Sequence, residues 1–91
     1  GGSVQVTVRA DDGKPLARAT VLFVTADGQE HNFSQVPETD ADGRFRAVGL
    51  APGSYTVRVQ CAGHEPASLR LDFTPGEETL LPITLRPRAA R

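Results

Sequence analysis

The sequence predicts an all-β fold, an antiparallel β-sandwich of seven short strands. Apolar side chains alternate with polar ones in several runs, of which Val4, Val6 and Val8 are the first. This period of two places one face of a strand on a core. Gly, Pro or Asp interrupt the runs about every eight to twelve residues. Because each strand has an apolar face, a second sheet is needed to cover it.

Length and charge narrow the classes of function. The chain has 91 residues, which fits one domain. We expect a single sandwich over residues 4–86, a linker or cloning remnant at residues 1–3, and a C-terminal tail or linker at residues 87–91. A core of this size leaves little room for a deep active-site cleft, so we expect no catalytic residues and no enzyme. The net charge of -1 provides no basic field for nucleic acid, and no apolar run is long enough for membrane insertion.

The first half of the chain is predicted to hold three strands. The first ends at a turn with Gly13, which is free to take a positive φ, and Pro15, which fixes its own φ. Residues 17–24 are apolar on both faces near their middle, which predicts a central strand. An Asp-Gly hairpin signal at residues 27–28 returns the chain into a weak third strand at residues 30–34.

The next two strands follow clear turn signals. Turn-forming residues at 39–43 lead into the fourth strand, in which Phe45 points inward between two arginines. A loop at residues 49–53 precedes the fifth strand, where Tyr55 begins the clearest alternation in the chain. Cys61 shares the parity of that buried face, so we expect a core thiol.

The last two strands are predicted at residues 69–73 and 81–85. Pro82 marks the final strand as a sheet edge, with this position turned to solvent or to a bulge, because proline cannot donate to a ladder. The weak third strand at residues 30–34 is a second candidate edge. An exposed edge of this kind could accept a strand from a partner by β-augmentation.

The order of these turns resembles that of the carboxypeptidase regulatory-like domain, a transthyretin-like and Ig-like β-sandwich family. Two positions depart from the family pattern, Arg18 where a small glycine is common and His64 where an aromatic is common. The motifs that carry the resemblance lie at residues 4–10, 12–17, 19–21, 39–45 and 49–55. Residues expected to have structural roles are Gly13, Pro15, Asp40, Asp42, Gly43, Phe45, Leu50, Pro52, Gly53 and Tyr55.

The resemblance implies an accessory role. Such domains are appended to peptidases, outer-membrane receptors and bacterial surface proteins, where they are usually not the catalytic part. We therefore expect a non-catalytic module of a larger, exported bacterial protein, located in the periplasm, outer membrane or cell surface. It would serve as a spacer or a protein-binding surface, with other domains of the parent chain or a protein as partners. No cofactor is predicted, and we expect the isolated domain to be monomeric.

The alternative function is ligand binding at the loops of one end of the sandwich, either of carbohydrate or of calcium. Asp40 and Asp42, followed by glycine, are similar to the opening of a calcium loop. The twelfth position of such a loop is Ala51 and not glutamate, however, and aspartates in such turns also accept hydrogen bonds from the backbone. Few aromatics are left over from the core to form a sugar platform.

Two covalent chemistries are not expected from these residues. An isopeptide crosslink, known in related sandwiches of surface adhesins, needs a lysine on the first strand and a catalytic acid. The single lysine, Lys14, lies instead in a turn. A nucleophilic pair of Cys61 and His64 is disfavoured because the thiol is predicted to be buried, and buried thiols are inert.

Overall fold

Six strands in two sheets make up the described part of the chain. The computed structural model describes residues 3–30, 37–74 and 76–88. The all-β prediction is confirmed, while the predicted seventh strand is not found among these residues. The strands are β1 Ser3–Ala10, β2 Thr20–Thr25, β3 Arg44–Val48, β4 Gly53–Gln60, β5 Ala67–Phe73 and β6 Glu78–Leu85.

The missing strand is the third predicted one, at residues 30–34. Residues 31–36 lie outside the described residues, and Glu30 forms only an isolated bridge with Val24 of β2. The prediction that β2 is central also differs from the structure, in which β4 lies between β2 and β5. On the other edge of β2, Thr20 forms an isolated bridge with Glu38, and the outward-facing Leu22 and Val24 are half-buried.

The sequence predicted an antiparallel sandwich, but one pair of neighbouring strands is parallel. One sheet has the order β3-β1-β6 and the other β2-β4-β5. Every pair is antiparallel except β1 with β6, which run parallel from Ser3 beside Glu78 to Ala10 beside Leu85. A period of two identifies the buried face of a strand but says nothing about its partner or direction. As predicted, Pro82 is exposed on a strand at the edge of its sheet.

The inward faces of both sheets form one hydrophobic core. β1 contributes Val4, Val6 and Val8, and β4 contributes Val57 and Val59, all fully buried. Burying a side chain of this size stabilises the fold by about 1.5 to 3 kcal/mol. Aromatic rings fill the remaining space between the layers. Phe23 and Tyr55 meet edge to face, with ring centroids 6.2 Å apart.

The chain enters and leaves the sandwich at opposite ends. We call the end where β1 and β6 begin the lower end, and the end where they finish the upper end. The loops at residues 11–19, 37–43 and 61–66 gather at the upper end, where the amide of Glu65 also donates to the carbonyl of Arg86 beyond β6, at 2.8 Å. The described residues include no helix long and apolar enough to cross a membrane.

Candidate functional site

The turn at residues 40–43 is held by one carboxylate at the upper end. Oδ1 of Asp40 accepts hydrogen bonds from the amides of Asp42 and Arg44, each at 2.9 Å. The amide of Gly43 donates to the Asp40 carbonyl at 3.0 Å and closes the turn. The Asp42 carboxylate is exposed and takes no part in this network. Among residues 3–30, 37–74 and 76–88, no three His, Cys, Asp or Glu side chains form a group that could hold a metal.

Gly43 allows this turn to lie in close contact with β1. The Val8 amide donates to the Gly43 carbonyl at 2.7 Å. Gly43 has a φ of 76°, and a Cβ at this position would lie 2.4 Å from the Val8 carbonyl oxygen and 3.2 Å from Cβ of Pro15. The position therefore requires glycine for its backbone conformation and for its lack of a side chain. Gly13, with a φ of 89°, would have no heavy atom within 4 Å of an added Cβ.

Thr39 has a structural role that the sequence pattern did not indicate. Its side chain is buried, with 4% of its surface exposed. Its hydroxyl accepts a hydrogen bond from the Ala19 amide at 2.9 Å and donates one to the Leu16 carbonyl at 2.7 Å. Thr39 lies outside the strands, so no alternation marked it. Its place just before the Asp40 turn was the one available signal.

The loop at the lower end is closed by Tyr55. The phenol donates to the carbonyl of Ala51 at 2.6 Å, while the ring is buried among the core residues. Leu50 is also buried, whereas Pro52 is exposed and Gly53 begins β4 with a φ of 143°. Between the two ends, Phe45 of β3 packs in the core with 4% of its surface exposed. The residues singled out in the sequence thus lie at both ends of the sandwich and do not converge on one site.

A polar cleft of about 420 Å³ opens at the upper end. Cys61, predicted to be buried, is instead half-buried on its wall, because it follows the last residue of β4 and the sheet no longer covers it. His64 lines the same cleft, and its Nδ1 lies 3.0 Å from the carbonyl of Ala62. The residues that line this upper cleft include Arg18, Thr20, Gln60, Cys61, His64 and Arg88.

A second polar cluster lies on the outer face of β4 and β5. Ser54 Oγ donates to Asp72 Oδ1 at 2.7 Å, and Arg70 contacts both residues at 3.3 to 3.4 Å. The Ser54 hydrogen bond and, after it, the charge and hydrogen bond of Arg70 hold the pKa of the Asp72 carboxyl below its ordinary value of 3.8. All three side chains face solvent, which limits the stability that such a pair provides.

The family of the chain follows from a comparison with family models. The model of the carboxypeptidase regulatory-like domain matches residues 3–86. The chain belongs to this family. The resemblance stated from the turn motifs is thereby confirmed, and the match takes in all six strands of the sandwich. A comparison with curated protein sequences gives no significant match.

Solved structures with the fold of this carboxypeptidase regulatory-like domain include pilins and an enzyme. BcpA, the major pilin subunit of Bacillus cereus, is 20% identical with a TM-score of 0.75, over 92% of this chain and 28% of that one. The minor pilin of Streptococcus agalactiae is 18% identical with a TM-score of 0.79, over 99% and 46%. Catechol 1,2-dioxygenase from Pseudomonas arvilla is 18% identical with a TM-score of 0.69, over 98% and 53%.

The domain spans between about a quarter and about half of the length of each of these proteins. At identities of 18 to 20% the likeness shows the fold alone. The same sandwich thus occurs within longer chains of quite different activity, so the fold alone does not imply a function.

Proposed function

We propose that the chain is a non-catalytic spacer module of a larger, exported bacterial protein. The observation that carries this proposal is the parallel pairing of the first and last strands over their full length, from Ser3 beside Glu78 to Ala10 beside Leu85. The chain enters beside the first pair and leaves beside the second, so neighbouring domains would attach at opposite ends of these strands.

This arrangement resists a force applied along the direction of β1 and β6. Tension on the two ends pulls β1 and β6 in opposite directions along their own axes. The hydrogen bonds between them run across that direction, so they share the load and break together. An antiparallel pair pulled at one end would instead open one bond at a time. The geometry therefore suits a domain that holds others apart under tension.

The pilins support the location and the partners proposed here. BcpA and the Streptococcus agalactiae protein are subunits of pili, which are built on the outside of the cell. By analogy, we place this domain outside the cytoplasm, with other domains of its own chain as first partners and a protein surface as a second one. Fractionation of cells that produce the full-length protein tests the location.

Single-molecule pulling tests the spacer function. Handles attached at the two termini should give a clearly higher unfolding force than handles at Ser3 and Val48, which are paired at one end of the antiparallel β1–β3 ladder. Val48 is 55% exposed, so a cysteine there accepts a handle once Cys61 has been replaced by serine. Forced unfolding reports the barrier and not the equilibrium stability. Equal forces in the two geometries would contradict the proposal.

A further inference from the structure

We propose that the upper cleft binds a small oxyanion, a ligand that carries carboxylate or phosphate groups. With a volume of about 420 Å³, the cleft is in the range of small-molecule sites. This function is separate from the spacer role, which depends on the terminal strands and not on the cleft.

Among the described residues that line the cleft, two are cationic and none is acidic. Arg18 and Arg88 both line it. Neither forms an ion pair or a side-chain hydrogen bond with another described residue. The acids that neighbour the cleft in the fold, Glu38 beside Thr20 and Glu65 beyond His64, are not among the described lining residues. Two guanidinium groups without a carboxylate partner favour an anionic ligand.

The positive φ of Arg18 also supports a ligand site in the upper cleft. It has a φ of 59° and is the one non-glycine residue with a positive φ in the described part of the chain. Hydrogen bonds from the amides of Arg18 and Ala19 to Thr39 hold it there, at 3.0 and 2.9 Å. Glycine would adopt this conformation without strain. Strained positions of this kind cluster at ligand sites, and here the strained residue brings a cation to the wall of a cleft.

Other polar residues line the cleft beside the two arginines. Nδ1 of His64 donates to the Ala62 carbonyl, because a carbonyl oxygen can only accept. This bond fixes the orientation of the ring at the wall of the cleft. Thr20 and Gln60 line the cleft as well and bring a hydroxyl and an amide. Forked guanidinium donors together with hydroxyl and amide groups match the several acceptor oxygens of a carboxylate or phosphate.

Amide chemical shifts measured by NMR test binding directly. Methyl phosphate and acetate are titrated separately into the labelled chain at constant ionic strength, with sodium chloride as the reference anion. We expect saturable shifts at the amides of Arg18, Ala62, His64 and Arg88 with at least one oxyanion and none with chloride. The oxyanion with the lower Kd identifies the class of ligand. Binding should weaken at high salt, because the interaction is electrostatic.

Matched variants separate a site from general attraction to arginine. Arg18→Gln and Arg88→Gln should each weaken binding by about threefold to tenfold, as expected for a partly exposed charge contact, and the double variant should lose it. Arg9→Gln removes the same charge from an exposed position on β1 and should leave the Kd unchanged. Shifts that spread over all exposed arginines, equal effects of the three variants, or no saturable shift with either oxyanion would each overturn the proposal. Far-UV circular dichroism checks that each variant is folded.

Discussion

The hydroxyl of Thr39 accepts a hydrogen bond from the amide of Ala19 at 2.9 Å and so joins two loops that are far apart in the sequence. The same hydroxyl donates to Leu16 at 2.7 Å. Around it, the amide of Thr39 donates to Ala19 and the amide of Arg18 donates to Thr39, each at 3.0 Å. One buried side chain therefore supplies both a donor and an acceptor that the backbone of the upper end would otherwise lack.

Thr39→Val should destabilise the fold by about 2 to 4 kcal/mol, because it leaves the Ala19 amide and the Leu16 carbonyl buried without this partner. Thr39→Ser keeps the hydroxyl and should lose no more than about 1.5 kcal/mol, the cost of a deleted methyl group. Urea denaturation measures both free energies of unfolding. Equal losses in the two variants would show that the methyl group and not the hydroxyl matters at this position.

Gly43→Ala should destabilise the fold by about 2 to 5 kcal/mol, from a left-handed alanine together with a Cβ pressed against β1. The added atom would lie 2.4 Å from the carbonyl oxygen of Val8. Gly13→Ala is the matched control, because Gly13 has a similar positive φ but open space around it; it should cost about 1 to 2 kcal/mol. If thermal or urea unfolding gave the same loss of unfolding free energy for both variants, the close approach to β1 would make no separate contribution to stability.

The sequence predicted the faces of the strands better than their partners. Alternation identified the buried side of β4, where Val57 and Val59 are fully buried, since side-chain direction is a local property. The parallel pairing of β1 with β6 was missed because it joins the two ends of the chain, and a local pattern contains no information about it.

The residues of the upper end could not be connected from a local sequence pattern either. Arg18, His64 and Arg88 are distant in sequence and meet only because the loops that carry them share one end of the sandwich. The sequence marked Arg18 and His64 as departures from the family pattern but offered no reason to connect them. The hydrogen bonds of Thr39, which hold this end together, depend on a contact between loops. Such contacts follow from the fold and not from local propensity.

Asp40→Ala should destabilise the turn by about 1 to 2 kcal/mol, because two backbone amides lose a charged acceptor. Asp42→Ala should change stability by no more than about 0.5 kcal/mol, as for other exposed side chains without partners. A calcium site would require both carboxylates, but Oδ1 of Asp40 already accepts two backbone hydrogen bonds. The melting temperature of the unmodified chain should therefore not depend on added calcium. Equal losses for the two variants, together with a rise in melting temperature on calcium addition, would favour the ion over the hydrogen-bonded turn.

The pKa of Asp72 should rise toward its ordinary value in Ser54→Ala and also in Arg70→Gln, because the Ser54 hydrogen bond and, after it, the charge and hydrogen bond of Arg70 lower it. The carboxylate is favoured in the folded state, so its contribution to stability is present above the unfolded pKa, near 3.8, and is lost as the pH falls through the lower folded value. Asp72→Asn should therefore make stability less sensitive to acid below about pH 4. An NMR titration of the Asp72 side chain in the unmodified chain, in Ser54→Ala and in Arg70→Gln measures the pKa directly. An unchanged pKa in Ser54→Ala, with Arg70 still in place, would assign the depression to the arginine instead.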